Sequence, residues 1–184
     1  QSKIRHPYVK FSFFGNKIKL LPLINSSEVL KESEIVHTDE FVDANEKPSI
    51  AVRKGRNSSM GMAIQSVKSG KADAIVSAGN TGALMAMAKL FLRPIEGINR
   101  PAIAAYFPTI TGESCMLDLG ANIDCDAKNL VQFAFMGQAF ANIVMGVDDP
   151  SISLLNIGEE EQKGLDYIKE ASQILSELKS QINY

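Results

Sequence analysis

Ser77, Gly79, Asn80, Thr81 and Gly82 lie between an apolar run, Ala72 to Val76, and a run that begins Ala83-Leu84-Met85 and continues as Ala, Met and Leu. That order reads as a strand, a tight loop and a helix N-terminus. Such a junction aims unpaired backbone N–H groups and the positive end of a helix dipole at one spot, and the chemistry it favours is anion binding, of phosphate above all. Gly79 and Gly82 allow close backbone approach, and Ser77, Asn80 and Thr81 add side-chain donors or cap the helix. Taken alone, the turn is equally well the cap of a buried helix.

Two more strand ends follow the same logic. Leu117-Asp118-Leu119-Gly120-Ala121-Asn122 places an acid, a glycine and an amide after an apolar run, and Asn156 leads into Gly158-Glu159-Glu160-Glu161-Gln162-Lys163-Gly164. In an open α/β sheet ligands sit outside the carboxyl ends of strands, so the three loops are expected to share one crevice; three separate capped turns are the structural alternative. A fourth candidate is the group Arg53, Lys54 and Arg56 ahead of Asn57-Ser58-Ser59. Cations beside a serine-rich helix start make either an anion site or a solvated basic loop with an N-cap behind it.

The elements that must position these residues alternate short apolar runs with longer periodic ones. Val9 to Phe14 reads as a strand ending at Gly15-Asn16, Ser26-Ser27 opens a short helix through Lys31, and Glu34 to His37 is extended before a polar loop to Pro48. Behind Ser58, Met60, Ile64 and Val67 repeat at helical spacing. The helix from Thr81 to Leu92 carries one charge, Lys89, and is expected to be buried on most of its circumference until Arg93-Pro94 closes it. Pro101 to Phe107 and Ser114 to Leu119 are strand-like and close enough for a hairpin, which implies a mixed sheet, because parallel neighbours need a long crossover. Asp126 to Met145 is a second apolar helix, with Leu130, Phe133, Gly137, Phe140, Ala141 and Val144 on one face and Gly146 as its stop. Ile152 to Ile157 is the last strand. The final helix sets Leu165, Ile168, Leu175 and Leu178 inward against Asp166, Lys169, Glu170, Glu177 and Lys179 outward.

Composition restricts the function classes. In 184 residues, 45% hydrophobic and 22% charged with no low-complexity tract, the chain can bury one α/β core, and 1–184 is read as a single domain. A net charge of -2 with dispersed Lys and Arg provides no basic field, so a nucleic-acid partner is not expected. Cys115 and Cys125 stand without a second pair or a nearby His and read as free thiols, with no metal site and no cofactor implied. No apolar run reaches spanning length and no signal-peptide pattern opens the chain, which points to the cytoplasm.

The motifs also carry a resemblance. Ser-Ala-Gly-Asn-Thr-Gly-Ala-Leu-Met-Ala at Ser77 to Ala86, Arg-Pro-Ala-Ile-Ala at Arg100 to Ala104, Leu-Asp-Leu-Gly-Ala-Asn at Leu117 to Asn122, and Leu-Leu-Asn-Ile-Gly-Glu-Glu at Leu154 to Glu160 with Lys163-Gly164 behind it are similar to the PlsX family of acyl-ACP:phosphate acyltransferases. The Ser58-Ser59-Met60 helix start and the Gln132 to Gly137 helix match in the same order, so the likeness covers nearly the whole chain. Family members are typically longer, and an opening Met-Gly-Gly-Asp segment and a C-terminal Asp-Gly-Phe-x-Gly-Asn motif are not found in these residues.

The resemblance implies a three-layer α/β/α sandwich on a mixed sheet, like isocitrate dehydrogenase and phosphotransacetylase. It also implies reversible conversion of acyl-ACP, the acyl carrier protein thioester, and inorganic phosphate to acyl phosphate and ACP for phospholipid synthesis. Acyl carrier protein, a homodimer partner and a peripheral membrane contact come with it. The chemistry needs no catalytic triad, because phosphate is largely ionised near neutral pH and a thiol of pKa about 8.5 leaves readily. Orientation and oxyanion donors remain to be supplied. On this reading Ser77, Gly79, Asn80, Thr81 and Gly82 cradle phosphate, Ser58 and Arg53 also bind phosphate or substrate, and Arg53 is a second source of electrostatic help. Lys163 gives electrostatic help, and Asp118, Asn122 and Asn156 orient phosphate or the thioester carbonyl. Without the resemblance, Lys163 reads as an exposed partner of the neighbouring glutamates.

Two rival classes stand beside it. A nucleotide-binding, dehydrogenase-like enzyme would use a similar sheet, but no Gly-x-Gly-x-x-Gly follows any expected strand. A catalytically inert interaction module is the other. Titration separates the three by phosphate and acyl-ACP binding, by NAD binding, or by neither.

Overall fold

A computed structural model describes residues 2–110, 112–158 and 163–184. The chain folds as two compact units, one ending at Arg93 and one running Pro94–Tyr184.

In the first unit, helix α1 spans Ser2–Arg5, strand β1 Ser12–Gly15, helix α2 Lys17–Asn25 and strand β2 Glu34–His37. β1 and β2 pair in parallel, with Ser12 opposite Glu34 and Gly15 opposite His37. The α2 crossover between them was not legible from the sequence, because Pro22 lies inside it; Asn16 starts it by accepting from Lys19 N at 3.0 Å. The short helix expected behind Ser26-Ser27 is a single 3₁₀ turn, Glu28–Leu30, with no side-chain cap from Ser27.

Arg53, Lys54 and Arg56 do not occupy a loop. Pro48 begins helix α3, Pro48–Lys54, and a 3₁₀ turn, Gly55–Asn57, joins it to helix α4, Ser59–Lys68. Proline suits the first helical turn because the N–H it lacks has no intrahelical partner there. Helix α5, Thr81–Leu92, completes the unit and packs on α3 and α4. Ala51, Met60, Ile64, Ala83 and Met87 form the shared core. α5 is less covered than its composition implied: Ala83 and Met87 are buried, whereas Leu90 and Leu92 are exposed.

In the second unit strands β3, Ala105–Thr109, and β4, Gly112–Met116, form the expected antiparallel hairpin. Helix α6, Ala127–Phe140, opens on a capping box in which Asp126 and Asn129 satisfy each other's backbone N–H. It runs into a π-helical turn, Ala141–Met145, and stops at Gly146 in the left-handed region (φ 70°). Phe133 and Ala141 are buried as expected, but Val144 is exposed on that last turn. Helix α7, Asp166–Glu177, buries Ala171 and Leu175, while Leu165, expected inward, precedes the first turn and is exposed. Ala134, Leu175 and Ile182 make the core of this unit.

Two expected strands are corrected. Residues 72–77 and 152–157 join no ladder among the described residues, and the two observed sheets have two strands each instead of forming one mixed sheet. Residues 151–158 nevertheless alternate between more and less exposed, as an extended chain with one covered face does. The coarse α/β class therefore holds. Among the described residues no helix is long and apolar enough to cross a membrane.

Candidate functional site

At the start of α5 the first-turn donors separate into two sets. Asn80 Oδ1 accepts from Ala83 N at 3.0 Å and Asn80 O accepts from Leu84 N at 2.9 Å. The N–H groups of Thr81 and Gly82 have no acceptor among the described residues, so they and the helix dipole face outward. Asn80 itself sits in the left-handed region (φ 49°), and its Nδ2 donates to Asp43 O at 2.9 Å and Glu46 O at 2.8 Å. Its amide thus ties the polar loop to the helix start, and any anion here meets backbone donors. At Gly82 a Cβ would lie 3.0 Å from Pro48 Cγ, a tight approach that the proline ring would have to relieve by a few tenths of an ångström; at Gly79 the same space is open. Ser77 Oγ bonds locally, donating to Gly79 O at 3.3 Å.

The second candidate cluster in this unit has a different use. Ser58 is buried, its Oγ donates to Gly55 O at 2.6 Å and accepts from Gly61 N at 3.2 Å, and both bonds belong to the α3 to α4 corner. Arg53 Nε donates to Ser49 O at 3.3 Å within its own helix, and no bond joins it to residues 77–82 among the described residues. Ser58 is therefore a cap in this structure.

In the second unit Asp118 and Asn122 come together. Asp118 Oδ1 accepts from Ile103 N at 2.8 Å, Oδ2 accepts from Asn122 N at 2.8 Å and Asn122 Nδ2 at 3.1 Å, and Asn122 Nδ2 also donates to Pro101 O at 2.9 Å. This is a clamp that holds residues 101–103 against the loop. Sequence reasoning missed two more ties on the segment 97–103 that leads into β3. Arg100 Nη1 donates to Asp124 O at 2.8 Å, and the buried Gln132 amide accepts from Asn99 N at 2.9 Å and donates to Gly97 O at 2.6 Å. The signal for Gln132 was a polar residue on the apolar side of α6, which needs a partner once covered.

Asn156 and Lys163 are also brought together. Asn156 Nδ2 donates to Lys163 O at 3.1 Å, and its Oδ1 accepts from Ile157 N at 2.9 Å. Both residues line a cavity of about 970 Å³ with α7, and the extended Ile152–Leu155 segment also walls a second cavity of about 380 Å³ that holds Asp118, Asn122, Cys115 and Cys125. Both cysteines are free thiols. Burial raises the Cys115 pKa, and burial followed by the Asp118 charge raises that of Cys125, so neither thiol is activated as a nucleophile. Glu159, Glu160, Glu161 and Gln162, read as part of the loop before Lys163, lie outside the described residues.

Comparison with known proteins agrees with these motifs. The phosphate acyltransferase of Parvibaculum lavamentivorans is 52% identical over 178 residues, which is 96% of this chain and 49% of the relative. That of Rhodospirillum centenum is 52% identical over 172 residues, 93% of this chain and 48% of the relative. The corresponding figures for the phosphate acyltransferase of Azorhizobium caulinodans are 49% over 178 residues, 96% and 50%. The chain spans about half the length of the curated relatives it matches. A family model described as fatty acid synthesis protein matches residues 2–184, which takes in every loop set out above, and the chain belongs to that family.

Proposed function

We propose that this chain is the part of a phosphate acyltransferase that carries phosphate and the reacting thioester. A phosphate oxygen attacks the thioester carbonyl of acyl-ACP, the C–S bond breaks, and the carrier leaves as a thiolate that takes up a proton, giving acyl phosphate for phospholipid synthesis. The observation that carries the reading is the match to proteins named phosphate acyltransferase at about half identity across almost the whole chain. The outward N–H groups of Thr81 and Gly82 suit a phosphate dianion, and Lys163 suits the developing oxyanion. The reading includes an α/β/α sandwich like that of isocitrate dehydrogenase and phosphotransacetylase, a cytoplasmic location with a peripheral membrane contact, and acyl carrier protein as donor. Its test is the full-length protein with acyl-ACP and phosphate: phosphate-dependent thiol release, with acyl phosphate trapped by hydroxylamine as the hydroxamate, is expected. Thiol release at the same rate without phosphate would be hydrolysis, and would overturn it.

Two expectations belong to this reading. Titrating phosphate into ¹⁵N-labelled protein should move the Thr81 and Gly82 amide resonances. If the enzyme saturates with phosphate while both amides stay still, the start of α5 is a helix cap and phosphate sits elsewhere. The protein should also be a homodimer, because Leu90 and Leu92 on α5 and Ile143 and Val144 after α6 leave apolar surface exposed. Sedimentation as a monomer at tens of micromolar would remove the dimer from the reading.

A further inference from the structure

We infer that Asn156 is a positioning residue that acts through Lys163 and does not touch substrate. This rests on the proposed role of Lys163 and deepens it. Both polar ends of the Asn156 amide are committed to backbone: Oδ1 to Ile157 N at 2.9 Å, and Nδ2 to Lys163 O at 3.1 Å. The second bond spans the loop and joins the end of the extended segment to the residue that delivers the cation.

Gly164 shows how closely the loop is seated. It adopts φ 98°, in the left-handed region, and a Cβ there would lie 2.3 Å from Asn156 Oδ1 and 2.8 Å from Nδ2. Only glycine fits against the amide in that conformation. The Lys163-Gly164 backbone is therefore seated against one amide, which donates to Lys163 O and fills the space a side chain at 164 would need, and this sets the backbone from which Lys163 enters the cavity that it lines together with Asn156. An ammonium on a flexible four-carbon stem reaches only where its backbone is set, and misplacement by about 1 Å in such a site can cost about a hundredfold in rate.

The test is a double-mutant cycle in the full-length enzyme, read with hydrogen exchange and amide chemical shifts. Asn156→Ala and Lys163→Ala are each expected to lower kcat/KM, the first by about ten- to a hundredfold. The double variant should be no slower than Lys163→Ala alone, because residues that act as one unit are non-additive. Asn156→Asp, close in shape, keeps an acceptor for Ile157 N but loses the donor to Lys163 O. It should protect the Ile157 amide as wild type does, shift the Gly164 amide resonance, whose peptide group contains Lys163 O, and be as slow as Asn156→Ala; it also serves if the alanine variant does not fold. A double variant whose losses multiply would mean that Asn156 meets substrate directly, and an Asn156→Asp enzyme of wild-type rate would mean that the loop bond does not matter; either overturns the inference. Wild-type turnover by Lys163→Ala, with the Gly164 resonance still moved by Asn156→Asp, would instead overturn the role given to Lys163 while leaving the loop bond in place.

Discussion

Replacing Lys163 by alanine in the full-length protein is expected to slow acyl phosphate formation about a hundredfold or more while the fold stays intact, the scale seen when one oxyanion donor is removed from an acyl-transfer site. Phosphate needs no general base at neutral pH and a thiolate leaves readily, so charge on the carbonyl oxygen and crowding of anions around phosphate are what the protein must offset. Lys163 follows three glutamates in the sequence and shares a cavity with Asn156. If its only work were to balance those glutamates, the alanine variant would keep wild-type turnover and shift stability by less than about 0.5 kcal/mol. Lys163→Arg should rescue poorly, because a planar guanidinium does not replace a compact ammonium where the backbone is pinned. Phosphate-dependent release of carrier thiol, measured with thermal unfolding of the same samples, decides between the two. Near wild-type rates for the alanine enzyme would leave the stabilisation to backbone donors.

The largest effect on stability is expected at Gly61, in the first turn of α4. A Cβ at that position would lie 2.1 Å from Gly55 O and 2.6 Å from Arg56 O, both backbone atoms of the preceding 3₁₀ turn. Gly55 O is held in place by Ser58 Oγ at 2.6 Å, and the corner packs against Met87 in the buried core of the first unit. Gly55 O cannot retreat without breaking that cap, and Arg56 O is held separately by Gln65 Nε2 at 2.7 Å. Gly61→Ala should therefore cost about 3 kcal/mol or more, the upper end of what overpacking does, seen as a fall in the urea midpoint at unchanged slope. Gly137→Ala is the internal contrast. That glycine lies inside α6, where a Cβ would meet only Leu117 Cδ1 at 3.5 Å, so alanine should stabilise by up to about 1 kcal/mol through helix propensity. A Gly61→Ala protein within 1 kcal/mol of wild type would mean that the α3 to α4 corner gives way more easily than its hydrogen bonds imply.

Local signals in the sequence were enough wherever the physics is local. Asn80 before α5, Ser58 before α4, Gly146 after the π turn and the hairpin around 110 were readable because caps, left-handed stops and short reversals depend on a few neighbouring residues. The same logic failed where two signals competed: Pro22 hid α2, and a row of cations hid α3, although Pro48 was the helix start. The chemical character of the loops was legible too, and with it the family. What each polar side chain does in those loops was decided by tertiary structure. Asn80, Asp118 and Asn156 have the residue types of a phosphate site, yet beside their local bonds each commits an amide or carboxylate atom to a backbone group that only the fold brings near: Asp43 O, Ile103 N and Lys163 O. A buried or half-buried polar group takes the partner within reach, and reach is set by the folded chain; the sequence by itself therefore determined which residues could bind an anion, while packing decided which of them hold the backbone that does.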